Sequence, residues 1–176
     1  LYLGHQHFAA QEFAKASEWY LKFGQDTGAL PLERYQALCY CSKALREMRD
    51  KQCVDVALAA FELFPNFKDA VLELAHSYLR FGDFDKAIHY AMLSDTKIMV
   101  EPPNIIFINP MEYTFNKYAL LSECYLKKGD LNEALVWMKR ATEVRPTIEC
   151  KNNVMSIESM IAQNRESEAI KVLSVQ

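Results

Sequence analysis

Two stretches of the chain repeat one another in kind. The first is Val71-x-x-Leu74-Ala75-x-x-Tyr78 followed by Gly82-Asp83-Phe84-Asp85-Lys86-Ala87; the second is Tyr118-x-x-Leu121-Ser122-x-x-Tyr125 followed by Gly129-Asp130-Leu131-Asn132-Glu133-Ala134. In each, apolar and small residues at i, i+3, i+4 and i+7 make one face of a helix, a glycine ends it, and an aspartate opens a second helix. Gly82 and Gly129 predict a left-handed residue at the turn. Asp130 with Glu133 reads as a capping box, while Asp83 with Lys86 offers half of that device. Small residues at 75, 122, 87 and 134 let two antiparallel helices approach closely, and Leu74, Tyr78, Leu121 and Tyr125 fill the space between neighbouring pairs. Outward from these two stretches, Cys53 stands where Ala87 and Ala134 stand, with Ala37, Tyr40, Cys41 and Ala44 in the helix before it and Pro65 beyond it. An earlier partial unit reads Leu3-Gly4, then Phe13-x-x-Ala16-x-x-Trp19-Tyr20. A late degenerate one reads Ser156-Ile157-x-x-Met160, then Glu168-Ala169. The small residue of the second helix thus recurs at 16, 53, 87, 134 and 169, at spacings of 37, 34, 47 and 35 residues.

A helix-turn-helix unit of this length with these small and aromatic positions resembles the tetratricopeptide repeat, or TPR. The resemblance implies an all-α, right-handed TPR superhelix of about five repeats and roughly ten helices. They are placed at residues 1–30, 34–67, 68–96, 115–148 and 150–176, in one solenoid domain. The spacing of 37 is read as a longer turn broken by Gly24, Gly28 and Pro31. The spacing of 47 places a 13-residue insert after the third repeat, within 97–114. Its prolines exclude a continuous helix, and its apolar, β-branched run Ile105–Ile108 predicts a short extended segment. Long ordered loops of this kind commonly carry function, so Glu101, Pro102, Pro103, Phe107 and Tyr113 are candidate contact residues.

Composition narrows the function classes. The chain has 176 residues, 51% apolar and 24% charged, with only 5 Gly and 6 Pro. A net charge of −3 and a pI near 5.8 give no general attraction to nucleic acid. Five cysteines, odd in number and without C-x-x-C spacing, read as reduced thiols and hence a cytoplasmic location. No apolar run reaches the length of a membrane span. The repeat pattern is already under way at Leu1, which is the expectation for a piece of a longer protein.

Leu1-Tyr2-Leu3-Gly4, the stretch Lys68-Asp69-Ala70-x-x-Glu73-Leu74-Ala75, and the insert that begins Val100-Glu101-Pro102 before an aromatic resemble something narrower. They look like the TPR segment that follows the catalytic domain of some family-2 glycosyltransferases. That resemblance implies a non-catalytic scaffold that positions its own upstream catalytic domain or another partner. The alternative is a free-standing adaptor that binds a peptide or helix in its concave groove.

First helices of TPR arrays line that groove. The expected groove positions are Leu38, Ser42 and Leu45; Leu72, Glu73, His76 and Leu79; and Ala119, Leu120, Glu123 and Leu126. These are not the Lys and Asn set with which chaperone-binding TPR domains clamp a C-terminal carboxylate. The mixed apolar and acidic surface instead suits an apolar helix or the chain's own insert. Arg46, Arg80 and Lys127 recur near the end of the first helix in three repeats, where cations complement the helix dipole. They form a candidate basic rim for an acidic partner. A D-x-D motif at Asp83-Phe84-Asp85 could hold a divalent metal, but the turn position wants aspartate for capping. His5, His7, His76 and His89 are scattered, and Glu73 with His76 would supply two ligands where a di-metal site needs more. Cys39 and Cys41 face different directions on one helix and read as packing residues. Trp19, Phe107, Tyr113 and Trp137 could stack on a sugar, but read mainly as interhelical core. No cofactor, metal or catalytic residue is expected; the partner is a protein or peptide, and a homo-oligomer is compatible with the pattern.

Overall fold

Gly82 and Gly129 stand at φ 80° and 82°, a conformation in which an added Cβ strains the backbone whatever space surrounds it. Each turns one helix back along the next. The helix after each turn starts on an aspartate whose side chain accepts a backbone hydrogen bond three residues on: Lys86 N to Asp83 Oδ1 at 3.2 Å, and Glu133 N to Asp130 Oδ1 at 3.1 Å. The same left-handed geometry recurs in two earlier turns on residues with side chains, Gln11 and Arg49, both at φ 59°.

The computed structural model describes residues 1–97 and 110–173, and every regular element there is helical. The order is α1 Tyr2–Ala9, α2 Phe13–Gln25, α3 Pro31–Glu47, α4 Gln52–Leu63, α5 Lys68–Arg80, α6 Phe84–Leu93, α7 Phe115–Lys128, α8 Leu131–Val144 and α9 Ile148–Leu173. Short 3-10 turns occupy Ser94–Thr96 and Pro110–Tyr113. Two compact units result, 1–108 with α1 to α6 and 109–176 with α7 to α9.

In the first unit three helix pairs stack. Ala16, Cys53 and Ala87, the small residues of the second helices, are fully buried. Tyr20 lies over Gly4, where a Cβ would meet its ring at 2.5 Å, and its hydroxyl bonds His5 Nδ1 at 2.8 Å. Ser42 Oγ donates to the Cys53 carbonyl at 2.8 Å and locks α3 to α4. The next seam is polar as well as apolar. Tyr35 packs edge-on against Phe64 and Phe67, and its hydroxyl accepts from Ala70 N at 3.0 Å while donating to Asp69 at 3.4 Å. Gly24, expected as a helix breaker, is instead inside α2. Its missing side chain makes room for Leu38, whose Cδ2 would lie 2.6 Å from a Cβ there.

In the second unit α7 and α8 repeat the device. Ser122 Oγ donates to the Ala134 carbonyl at 2.9 Å, both residues being fully buried, and Tyr118 packs on Trp137 at 5.7 Å between ring centres. α9 lies on α8 through Ile157 and the half-buried Val154 and Ile161. Here the structure departs from the expected fifth pair: 148–173 is one helix of 26 residues, so the described residues hold nine α-helices rather than ten. The reason is local. Between Ile157 and Ala169 the sequence supplies neither glycine nor proline to stop the helix, whereas the two clearest repeats carry a glycine there.

Candidate functional site

The first helices are the elements expected to carry the binding face. Their side chains divide sharply by accessibility. Leu38, Leu45 and Leu72 are buried, and Ser42 has no exposed surface because its hydroxyl points into the α3/α4 pair. These four belong to the packing of the first unit, a correction to their placement in an open groove. A buried serine bonded to a backbone carbonyl has nothing to offer a partner. Glu73 forms an ion pair with Arg46 in which the side chains keep 14% and 12% exposure. That pair joins α3 to α5 across the seam. Arg46 is therefore a strut between repeats, which corrects its assignment to a solvent-facing rim.

What remains accessible on α5 is His76 and Leu79, both half-buried, and exposed Arg80. On α7 the corresponding residues are exposed Glu123, half-buried Leu126 and exposed Lys127; Ala119 is half-buried and Leu120 is buried. Leu126 also packs against the cluster of Met138, Ala141 and Ile157 that seats α9. Each helix thus presents the same alternation of a polar group, a leucine and a cation one turn from its C-terminus. Arg80 and Lys127 there oppose the partial negative charge of the helix end. In the insert, Tyr113 is half-buried in the 3-10 turn Pro110–Tyr113; Glu101, Pro102, Pro103 and Phe107, with the expected extended segment Ile105–Ile108, lie outside the described residues.

Side chains with chemical potential are committed to structure. Asp83 is used twice by Lys86, through the backbone N–H and through Nζ at 2.8 Å; the side-chain bond leads in holding its carboxyl below the usual range. Glu73, the proposed partner of His76, is engaged by Arg46. All five thiols are free and buried. Burial pushes Cys41 and Cys124 up to about 12 and Cys39 well above its ordinary value, which removes thiolate nucleophiles at neutral pH. Trp137 is buried, with the Arg140 guanidinium 4.5 Å over its ring, so it is a core residue. Trp19 is 40% exposed beside Lys22.

Antiparallel helix pairs with buried small residues and glycine or left-handed turns now account for four successive repeats, two of them with a serine-to-carbonyl lock as well. Residues 118–148 match the tetratricopeptide repeat family. The fold is that of a TPR array. It is shared with solved structures at low sequence identity. MamA MSR-1 C2 is 16% identical, with 93% of this chain covering 85% of that one at a TM-score of 0.64. A MamA point mutant is 15% identical over 93% and 86%, at 0.62. TTC0263, a thermophilic TPR protein of Thermus thermophilus, is 22% identical over 88% and 77%, at 0.64. No curated protein sequence matches the chain. α5 and α7 are therefore the first helices of the third and fourth repeats, and the accessible residues of each are candidate contact positions of its own unit. No helix among the described residues is long and apolar enough to cross a membrane.

Proposed function

We propose that this chain is a non-catalytic TPR scaffold that binds protein or peptide segments, with the first-helix face of α5 a contact surface of the first unit and that of α7 a contact surface of the second. The observation that carries the reading is the recurrent His76–Leu79–Arg80 and Glu123–Leu126–Lys127 surface, left accessible while the neighbouring polar groups Arg46, Glu73, Ser42 and Asp83 are committed internally. Repeat proteins commonly bind through first-helix faces, and a leucine flanked by charges fits an amphipathic segment. The finer reading is that the partner is the chain's own upstream catalytic domain, of the family-2 glycosyltransferase kind, with a cytoplasmic location. It rests on the resemblance of residues 1–4, 68–75 and 100–102 to the repeat region of such proteins.

The test begins with the coding sequence upstream of Leu1. An α/β domain with its own D-x-D supports the finer reading; a start codon immediately before Leu1 overturns it and leaves the free-standing adaptor. Where such a domain is encoded, it is produced separately and titrated with this chain by calorimetry. Arg80→Glu with Lys127→Glu should weaken binding at least tenfold without altering the circular dichroism, and unchanged affinity would refute the surface. Arg46 is left intact in this variant, because reversing it would set two carboxylates against each other inside the α3/α5 seam.

A further inference from the structure

α5 begins without a cap of its own. Its N-cap residue is Phe67, whose side chain accepts nothing, whereas α6 and α8 open on Asp83 and Asp130, each accepting from the N–H three residues on. The corresponding N–H of α5 belongs to Ala70, a fully buried residue. It donates at 3.0 Å to the Tyr35 hydroxyl, which lies 35 residues earlier in the first helix of the preceding repeat. An orphan N–H at that depth would be destabilising, so the tyrosine does from α3 what the aspartates do locally. The same hydroxyl donates onward to Asp69 at 3.4 Å. Burial, ahead of the neighbouring Cys39 and Asp69 groups, pushes the phenol well above its ordinary range, so it keeps the proton it donates. Phe64 and Phe67, stacked on each other, hold its ring edge-on at 5.5 and 5.6 Å.

Asp69 and Glu73, through which α3 grips α5, share a face with the contact residues. At 3.6 residues per turn, positions 69, 73, 76 and 80 fall within about 60° of one another around the helix. The Tyr35 link in the first turn and the Arg46–Glu73 ion pair one turn further therefore fix the rotation of α5 about its axis. With it they fix the direction in which His76 and Arg80 are presented. We propose that the Tyr35 hydroxyl is a coupling element between repeats: it supplies the N-terminal cap of α5, so that the contact face of the third repeat keeps its orientation only while α3 is docked against it. The functional weight of this coupling rests on the reading of α5 as a contact surface of the first unit. A segment bound along His76, Leu79 and Arg80 then stabilises the second repeat together with the third, and whatever loosens α3 weakens the face by the same linkage.

The test is Tyr35→Phe in the full chain, which keeps the ring and removes only the hydroxyl. Native-state hydrogen exchange followed by NMR should show the amides of Ala70, Val71 and Leu72 exchanging about tenfold faster, the loss of one cap, with amides in the middle of α3 and of α6 within about twofold of wild type. The carbon-bound imidazole protons of His76 should shift, while those of His89 on α6 should not. Unchanged exchange in the first turn of α5, an equal rise from α3 to α6, or an unmoved His76 signal would each overturn the proposal. A second measurement needs no variant: in sub-denaturing urea, the first turn of α5 and the centre of α3 should open in one step in the wild-type protein, and earlier, separate opening of the α5 turn would overturn the coupling. Neither readout uses a partner, so a face that binds nothing would fail the calorimetric titration and leave this result standing.

Discussion

Replacing Arg46 by methionine should destabilise the first unit far more than loss of a surface charge would. The Arg46–Glu73 pair keeps only 12% and 14% side-chain exposure and spans two repeats. Removing one partner of a fully buried pair costs about 3–5 kcal/mol, because the remaining group loses its main compensating charge while staying desolvated. The residual exposure admits some water and Glu73 keeps further interactions, so about 2–3 kcal/mol is expected for Arg46→Met. With a urea dependence of about 2 kcal/mol/M, the unfolding midpoint should fall by about 1–1.5 M. The chain has two tryptophans, Trp19 in α2 and Trp137 in α8, so a Trp137→Phe background leaves Trp19 to report on the first unit. The double variant Arg46→Met/Glu73→Leu removes both charges together and should recover to within about 1 kcal/mol of the starting protein, since an apolar pair of similar volume replaces an ion pair at little net cost. The resulting coupling energy should exceed about 1.5 kcal/mol. A single-variant cost below about 0.5 kcal/mol, the level of an exposed pair, would refute the seam as a desolvated strut, as would strict additivity of the two substitutions.

Arg49→Gly and Gln11→Gly should each stabilise by about 0.5–1 kcal/mol in thermal or urea unfolding, because each relieves a left-handed residue that carries a side chain at φ 59°. Gly4→Ala should cost about 1–3 kcal/mol, since the new methyl would lie 2.5 Å from the rigid, buried ring of Tyr20; a neutral result would mean that α1 is free to slide on α2. Stability should fall as pH drops below 6.5. Burial lowers the pKa of His5, so its neutral form is favoured in the folded state, and the contribution is complete above the unfolded pKa and lost on acidification. His5→Gln should flatten that part of the profile. In native protein at pH 8, thiol reagents should find almost no reactive cysteine, and all five should react on unfolding.

The repeat period was legible because it rests on features short in sequence: a glycine that must sit at positive φ, an aspartate three residues before the N–H it caps, and a small residue where two helices touch. Positions 82, 83, 129, 130, 87 and 134 carried these meanings unaided. The groove was less legible because accessibility is decided by distant residues. Nothing near Ser42 announces that its hydroxyl bonds Cys53, and nothing near Arg46 announces Glu73 as its partner 27 residues on. Gly24 misled for a related reason: glycine serves close approach as well as helix ending, and only Leu38 distinguishes the two. The fifth repeat kept its spacing in sequence but lacked turn chemistry, and the turn chemistry decided the outcome. Gln11 and Arg49 gave no signal, because neither residue type advertises the left-handed region.

The uneven distribution of glycine over these turns bears on the order in which the array assembles. A hairpin closed by Gly82 or Gly129 can sample its turn freely in the unfolded chain. One closed by Gln11 or Arg49 must populate a conformation about 1–2 kcal/mol uphill before its helices meet, roughly a tenfold handicap in nucleation. Repeat arrays can begin folding at any unit and grow from it, so initiation falls to the α5/α6 and α7/α8 hairpins, and the N-terminal pairs condense onto the former. Pulse-labelled hydrogen exchange during refolding should show amides of α5 to α8 protected before those of α1 to α4. The reverse order would mean that the aromatic packing around Tyr20 outweighs the turns.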